Sequence, residues 1–340
     1  MRKFLFLLGA LFLAAGIFIA WFFPAAYIGA PAEFTIKTTI KADSSVSDIA
    51  FALNQKGVIT SAFGYRLFAL LDSRARRAVP GEYDLAPGSS YKQIARQISL
   101  GPKRDELTVR FIEGQTLDDW QAKLILEGVS ATSVADLVGD TRTGKPFAKG
   151  FESQFDFLQS VPQGSSLEGY LFPNTYRVWK DQLPLGMALK QLNEFEMQTE
   201  GFADSAAVQG RTLHDVVILA SIVEKEGRNP EERRNIARIF LNRLKIGMRL
   251  QSDATINYVT GGNNPRPTLD DLETISPFNT YLNEGLPPGP ICNPGKDALD
   301  AALNPADNDY YFYLHDKEGN IYYAKNAEEH KLNRWKAYGE

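Results

Sequence analysis

The first long apolar stretch of the chain runs from Phe4 to Phe23 and contains no charged residue. Twenty helical residues rise about 30 Å, which matches the hydrocarbon core of a bilayer. The basic pair Arg2-Lys3 precedes the stretch, and such residues favour the cytoplasmic side. The pattern predicts a cytoplasmic start at 1–3, a transmembrane helix at 4–23 and a remainder that lies outside the cytoplasm. A cleaved signal peptide is the alternative, although the run exceeds the usual length of about 7–15 apolar residues.

A strand, two helices and a second strand follow the apolar stretch. Thr and Ile are frequent at 34–40, which predicts a strand, and Glu82–Leu85 predicts another. Helical patterns lie between them at 45–56 and 60–72. The order β-α-α-β resembles the LysM domain, a small module that binds N-acetylglucosamine-containing glycans. We therefore expect a LysM-like subdomain at 34–107; a subdomain of the same order that binds nothing is the alternative.

One kind of helix start occurs three times, at Ser45–Asp48, Ser90–Gln93 and Thr116–Asp119. In each, a hydroxyl residue precedes Asp or Gln by three positions, which is the pattern of a capping box. An apolar helical face follows each start, and a glycine ends each helix. The pattern predicts three amphipathic helices with well-defined N-termini.

The composition excludes several classes of function. Hydrophobic residues make up 44% and charged residues 23%, which is typical of globular chains, and the net charge of −4 gives no basic surface for nucleic acid. Cys292 is the single cysteine, and the three histidines, His214, His315 and His330, are widely spaced. We therefore expect no metal site and no cofactor, and we expect carboxylates to perform any hydrolytic or lytic chemistry.

A buried helix is predicted at 211–228, where a capping box of Thr212 and Asp215 precedes a segment that is apolar on all sides. At about 100° per residue, Glu224 continues the apolar stripe that includes Val217, whereas Glu226 projects about 200° away. Burial raises the pKa of a carboxyl group, and a protonated carboxyl can act as a general acid.

This geometry makes Glu224 the carboxylate that the helix directs towards an apolar environment, and so a candidate general acid. The alternative is an ion-pair partner of nearby Arg233, Arg234 or Lys225.

Loop-forming stretches at 248–258, 276–281 and 285–290 are rich in amides, hydroxyls and tyrosines. Amides and hydroxyls can hydrogen-bond sugar hydroxyls, and aromatic faces can stack on sugar rings. The alternative is that these residues only build turns. The predicted substrate-binding residues are Gln251, Asp253, Tyr258, Asn279 and Tyr281, together with Glu168 in the stretch at 167–176.

Five segments resemble the signature blocks of YceG-like endolytic murein transglycosylases. They are LEGYLFPNTY at 167–176, ASIVEKE at 220–226, NRLKIGMRLQSDATINY at 242–258, SPFNTY at 276–281 and GLPPGPICNPG at 285–295. The resemblance implies an α+β chain: one N-terminal transmembrane helix, a LysM-like subdomain, and a mixed α+β catalytic domain over 108–340.

The resemblance also implies an activity. Members cleave the bond between N-acetylmuramic acid and N-acetylglucosamine within nascent peptidoglycan, leaving 1,6-anhydro ends and helping to terminate glycan elongation. The first glutamate of VEKE falls on Glu224, and one carboxyl can serve both steps. The implied partners are glycan strands, the membrane and peptidoglycan synthases. Two alternatives stay open: a non-catalytic, membrane-tethered scaffold, and a two-carboxylate hydrolase with Glu168 as the second acid, a residue that otherwise pins a loop.

The C-terminal stretch at 309–324 predicts a β-hairpin that turns at 317–320. Its tyrosines either line the cleft or pack in the core, and packing in the core is the usual outcome for such residues.

Overall fold

The computed structural model describes residues 2–262 and 267–339, and it describes side chains from residue 12 onward except at 263–266 and 340. The helices are α1 (Arg2–Phe23), α2 (Val46–Gln55), α3 (Ala62–Leu71), α4 (Tyr91–Leu100), α5 (Leu117–Leu126), α6 (Ala131–Val138), α7 (Leu185–Gln198), α8 (Phe202–Val208), α9 (Leu213–Glu226), α10 (Pro230–Lys245), α11 (Asp253–Thr260), α12 (Leu269–Leu272), α13 (Lys296–Leu303) and α14 (Ala327–Tyr338). The strands are β1 (Ile36–Ile40), β2 (Gly81–Leu85), β3 (Glu106–Arg110), β4 (Thr175–Trp179), β5 (Phe312–His315) and β6 (Ile321–Ala324). The α+β class is as predicted.

The chain forms two compact units, one up to Arg104 and one from Asp105 onward. In the first unit, β1 pairs antiparallel with β2, with Thr38 opposite Tyr83. Helices α2 and α3 lie between these strands in sequence, so the predicted order β-α-α-β is observed. Leu53, Phe68 and other apolar side chains of the helices fill its core. The LysM-like assignment of this unit stays a prediction.

Helix α1 begins the first unit, and Phe22 near its end is buried in the core of that unit. Among the residues whose side chains are described, no single helix has both the length and the apolar composition of a membrane span. Helices α8 and α9 reach the required length and apolar composition only when they are taken together, and they meet at a bend of 98°.

The three predicted capping boxes are present in the structure. The hydroxyls of Ser45, Ser90 and Thr116 each accept a hydrogen bond from the backbone N–H three residues later, and the side chain there accepts in return. These reciprocal bonds satisfy backbone donors that a helix start otherwise leaves unpaired, so the sequence defines where α2, α4 and α5 begin.

The second unit is built around α9. From Val216 to Val223 every residue of this helix is buried, and α8, α10, α11 and α13 pack around it. Thr212 and Asp215 form the predicted capping box. Asn229 then caps α10, which starts at Pro230. The predicted all-round burial is therefore confirmed, and it leaves the last turn of α9 as the place where this helix meets polar groups.

Two further antiparallel strand pairs belong to the second unit. Strand β3 pairs with β4, with Val109 opposite Tyr176, and helix α7 packs against β4. Strands β5 and β6 form the predicted C-terminal hairpin, with Phe312 opposite Ala324. Within this hairpin, Tyr313 packs against the core beside the last turn of α9. This contact brings the C-terminal part of the unit close to the end of α9.

Candidate active site

A cleft of about 600 Å³ opens at the C-terminal end of α9. Several segments that are far apart in sequence line it: the start of α5, the end of α9, helix α11 and the β5–β6 hairpin. Its lining includes Thr116, Lys225, Glu226, Arg228, Asp253, Tyr258 and His315. The cleft is rich in polar groups, as a site for a hydroxylated ligand requires.

Glu226 is the carboxylate that α9 brings to the cleft. It is the last residue of the helix, and its side chain is half-buried. The hydroxyl of Ser252 donates to Glu226 Oε1 at 2.5 Å, and the hydroxyl of Tyr313 also hydrogen-bonds this carboxyl group. Burial raises the pKa of Glu226, and the nearby charge of Asp253 adds to the increase. The environment therefore favours the protonated form that a general acid needs.

Asp253 and Tyr281, both predicted to bind substrate, are brought together. The hydroxyl of Tyr281 donates to Asp253 Oδ1 at 2.5 Å, and Asp253 lines the cleft as the first residue of α11. The bond restrains the orientation of the Asp253 carboxylate. Asp253 is thus held beside Glu226 with an acceptor oxygen available to a ligand hydroxyl.

Glu224 lies on the other side of α9, as the helical geometry predicts. Its side chain is 5% exposed, and its carboxylate accepts from Arg233 at 2.5 Å and from the Gly295 N–H at 2.9 Å. Burial raises its pKa, while Gly295 and Arg233 oppose that increase. Glu224 is absent from the residues that line the cleft. The geometry therefore agrees with the ion-pair alternative, and the catalytic role of Glu224 stays a prediction.

Glu168 is 1% exposed and connects three segments of the unit. Its oxygens accept from the Leu117 N–H at 3.0 and 3.1 Å, from Asn293 Nδ2 at 3.2 Å and from the Tyr258 hydroxyl at 3.4 Å. Burial is the largest influence on this carboxyl and raises its pKa to about 8, although the Leu117 N–H opposes the increase. Glu168 thus ties the start of α5 and the loop at 293 to Tyr258, as the loop-pinning alternative expects.

Tyr258 lines the cleft, with its hydroxyl towards Glu168 and the Arg142 guanidinium 5.2 Å from the centre of its ring. Asn279 is fully buried, where its amide donates to the carbonyls of Leu272 and Thr274. Gln251 is exposed, with a left-handed backbone (φ 50°), and it is not among the cleft residues. The geometry supports a ligand contact for Tyr258 and a loop-building role for Asn279.

The sequence does not predict several residues that line the cleft or hydrogen-bond Glu226. Thr116, Lys225, Arg228 and His315 line the cleft, and Ser252 and Tyr313 hydrogen-bond Glu226. His315 Nε2 lies 3.2 Å from Glu232 Oε2, so α10 fixes the hairpin at the cleft. The sequence points to these residues at one place, the end of α9, where charged residues follow an apolar helical segment. The hairpin and α5 reach the cleft only through long-range packing.

The family model described as the YceG-like family matches residues 38–336. The chain belongs to the YceG-like family. Its match covers both compact units except for the first residues and the last few. The resemblance of the five sequence blocks to this family is therefore confirmed.

Proteins similar to this YceG-like chain include an endolytic murein transglycosylase of Bacillus subtilis, 30% identical over 87% of this chain and 83% of the relative. An endolytic murein transglycosylase of Streptococcus pneumoniae is 29% identical over 90% of this chain, which spans only 59% of that relative. The crystal structure of a putative YceG-like protein from Listeria monocytogenes matches with a TM-score of 0.56 at 30% identity. It covers 89% of this chain and 100% of its own.

The raised pKa of Glu168 predicts a pH dependence of folding stability. The ordinary pKa of 4.5 applies to the unfolded chain, and the folded value is about 8, so the folded state keeps a proton that the unfolded state loses. The contribution is fully present below about pH 4.5 and is lost as pH rises towards about 8. Thermal unfolding should therefore show wild type losing stability relative to Glu168→Gln across this interval.

The control for this experiment is Glu196→Gln, because Glu196 is exposed on α7. Its unfolding curve should stay parallel to that of the wild type. Parallel curves for Glu168→Gln as well would contradict a protonated, buried Glu168.

Proposed function

We propose that this chain is a membrane-anchored endolytic murein transglycosylase that cleaves between N-acetylmuramic acid and N-acetylglucosamine within glycan strands. Membership of the YceG-like family and similarity to endolytic murein transglycosylases of Bacillus subtilis and Streptococcus pneumoniae support the reaction class. The observation that carries the proposal is Glu226, a carboxyl with a raised pKa that faces the cleft beside Asp253 and Tyr258. Helping to terminate glycan elongation follows from internal cleavage of growing strands.

Glu226 is the general acid in this proposal. Its proton passes to the glycosidic oxygen as the bond from that oxygen to C1 of the muramic acid breaks. The resulting carboxylate then takes the proton of the C6 hydroxyl of the same sugar while O6 bonds to C1. The product is a 1,6-anhydro end, and the acid is restored without water entering the reaction. One carboxyl therefore suffices, in contrast to the two carboxylates of ordinary glycosidases.

The surroundings of Glu226 suit both steps. Burial and the charge of Asp253 favour its protonated form before bond cleavage, while the hydroxyl donors Ser252 and Tyr313 stabilise the carboxylate afterwards. The Glu224 carboxylate is held by Arg233 and the Gly295 N–H and its side chain is 5% exposed, whereas Glu226 lines the cleft. We therefore prefer Glu226 to Glu224 as the acid.

A matched pair of substitutions tests this assignment. Glu226→Gln removes the acid without changing shape and should lower the turnover of peptidoglycan strands by at least about a hundredfold, which is typical of a lost general acid. Glu224→Gln should retain more activity and should chiefly lower the melting temperature, since it removes the closer and more buried of the two carboxylates that pair with Arg233. The measurements are the release of soluble glycan fragments and thermal unfolding.

If Glu224→Gln abolished turnover in a fully folded protein while Glu226→Gln stayed active, the acid would be Glu224. If both variants kept wild-type turnover, neither glutamate would be the acid.

The proposal includes a single-pass anchor in the inner membrane, supported by the uncharged stretch from Phe4 to Phe23 after Arg2-Lys3. The catalytic unit then lies on the wall-facing side, where its substrate is. The full chain should stay in the membrane fraction after alkaline carbonate extraction, whereas a chain lacking residues 2–23 should be released. Release of the full chain by carbonate would contradict the anchor.

A further inference from the structure

Two cationic side chains line the cleft on either side of Glu226 in sequence, Lys225 and Arg228. Both are exposed. Within residues 2–262 and 267–339, neither side chain forms an ion pair or a hydrogen bond with another residue, whereas the nearby Arg233 and Arg142 both pair with carboxylates. The two cations are therefore available to an incoming ligand.

Neither cation forms an ion pair with the glutamates of α9, although the charge of Lys225 lies near enough to Glu224 to oppose the rise of its pKa. The groups that most influence the Glu226 carboxyl are Ser252, Tyr313, Asp253 and His315. Glu224 already has an ion-pair partner in Arg233. An exposed cation without a partner contributes little to stability, so these two positions call for a ligand-based explanation.

The backbone around Arg228 leaves room for its guanidinium group. Arg228 Nη1 lies against Gly319 at the tip of the β5–β6 hairpin, where a side-chain Cβ would collide with it. Gly319 also has a φ of 92°, a conformation that favours glycine. Lys225 Nζ lies close to Gly114, just before α5, at an ordinary contact distance. Each cation thus lies beside a glycine, and both line the cleft.

The chemistry of the proposed substrate indicates what these cations bind. The N-acetylated sugars of a glycan strand are neutral, and the anions of peptidoglycan are carboxylates on the lactyl branch of muramic acid. They belong either to the peptide stem or, where the stem is missing, to the lactyl group itself. Guanidinium and ammonium groups bind carboxylates through charge-assisted hydrogen bonds, which for arginine are often bidentate.

We propose that Lys225 and Arg228 form a carboxylate-binding rim that recognises the lactyl branch of muramic acid in the cleft. This inference rests on the proposed function, and it names the part of the substrate that the cleft distinguishes. The branch projects from the same sugar whose C1 bond is cleaved, so its capture would set the register of the strand over Glu226.

The test compares three preparations of glycan strands: intact strands with acidic stems, strands whose stem carboxylates are chemically amidated, and strands stripped of stems by an amidase. The wild-type enzyme should cleave intact strands with a kcat/KM roughly tenfold above that for amidated strands. In the double variant Lys225→Gln, Arg228→Gln this ratio should fall towards one. The charge-conserving pair Lys225→Arg, Arg228→Lys should keep most of the preference.

Lys245→Gln is the matched control for loss of charge, because Lys245 is exposed and lines a different hollow of the same unit. It should keep the wild-type ratio. Raising the salt concentration should reduce the preference of the wild-type enzyme, since salt screens exposed charges.

Each outcome bears on the inference. A loss confined to intact strands assigns the stem carboxylates, and a loss on stripped strands assigns the lactyl carboxylate. An equal effect of the double variant on all three preparations, or no effect on any, would overturn the inference. If the inference were overturned but the wild-type enzyme still cleaved all three preparations, the proposed function would stand. If the wild-type enzyme cleaved none of them, the proposed function itself would be contradicted.

Discussion

The complete burial of α9 is the constraint on which the site depends. A helix whose side chains are buried on every side has a fixed position and rotation, because its neighbours α8, α10, α11 and α13 must all fit against it. Each fully buried Val, Leu or Ile side chain contributes about 1.5–3 kcal/mol relative to exposure, so displacing the helix would be costly. Its last residue, Glu226, is consequently held at one point of the cleft wall with little freedom to move.

Three glutamates of the second unit show how environment determines the properties of one residue type. Glu168 is sealed in the protein, where burial outweighs its hydrogen bonds and keeps its pKa near 8. Glu224 is also nearly sealed, but a guanidinium and a backbone N–H oppose the effect of burial. Glu226 alone combines a raised pKa with a place in the cleft lining. A buried carboxyl therefore indicates a catalytic acid only when substrate can reach it.

Local features of the fold could be predicted from the sequence because they depend on residues close together. The capping box of Thr212 and Asp215 spans three positions, and the C-terminal hairpin pairs neighbouring segments. The helical geometry also separated Glu224 from Glu226 correctly. It could not identify which side of α9 faces the cleft. Because the helix is apolar all round, its sequence marks no side as facing solvent.

The cleft itself depends on contacts between distant segments. Tyr313 reaches Glu226 from the C-terminal hairpin, and Glu168 joins Leu117 to Asn293. A turn-forming sequence gives no sign of such partners. The same holds for Asn279, whose amide is typical of both a sugar contact and a buried loop; its hydrogen bonds to Leu272 and Thr274 favour the loop.

The central claim is that one carboxyl cleaves the strand with the substrate's own hydroxyl as nucleophile. The most direct measurement is mass spectrometry of fragments produced by the purified enzyme in water enriched in heavy oxygen. The account predicts new 1,6-anhydromuramic ends that contain no heavy oxygen. New reducing ends carrying heavy oxygen would contradict it, because they would mean that water is the nucleophile and that the enzyme is a hydrolase.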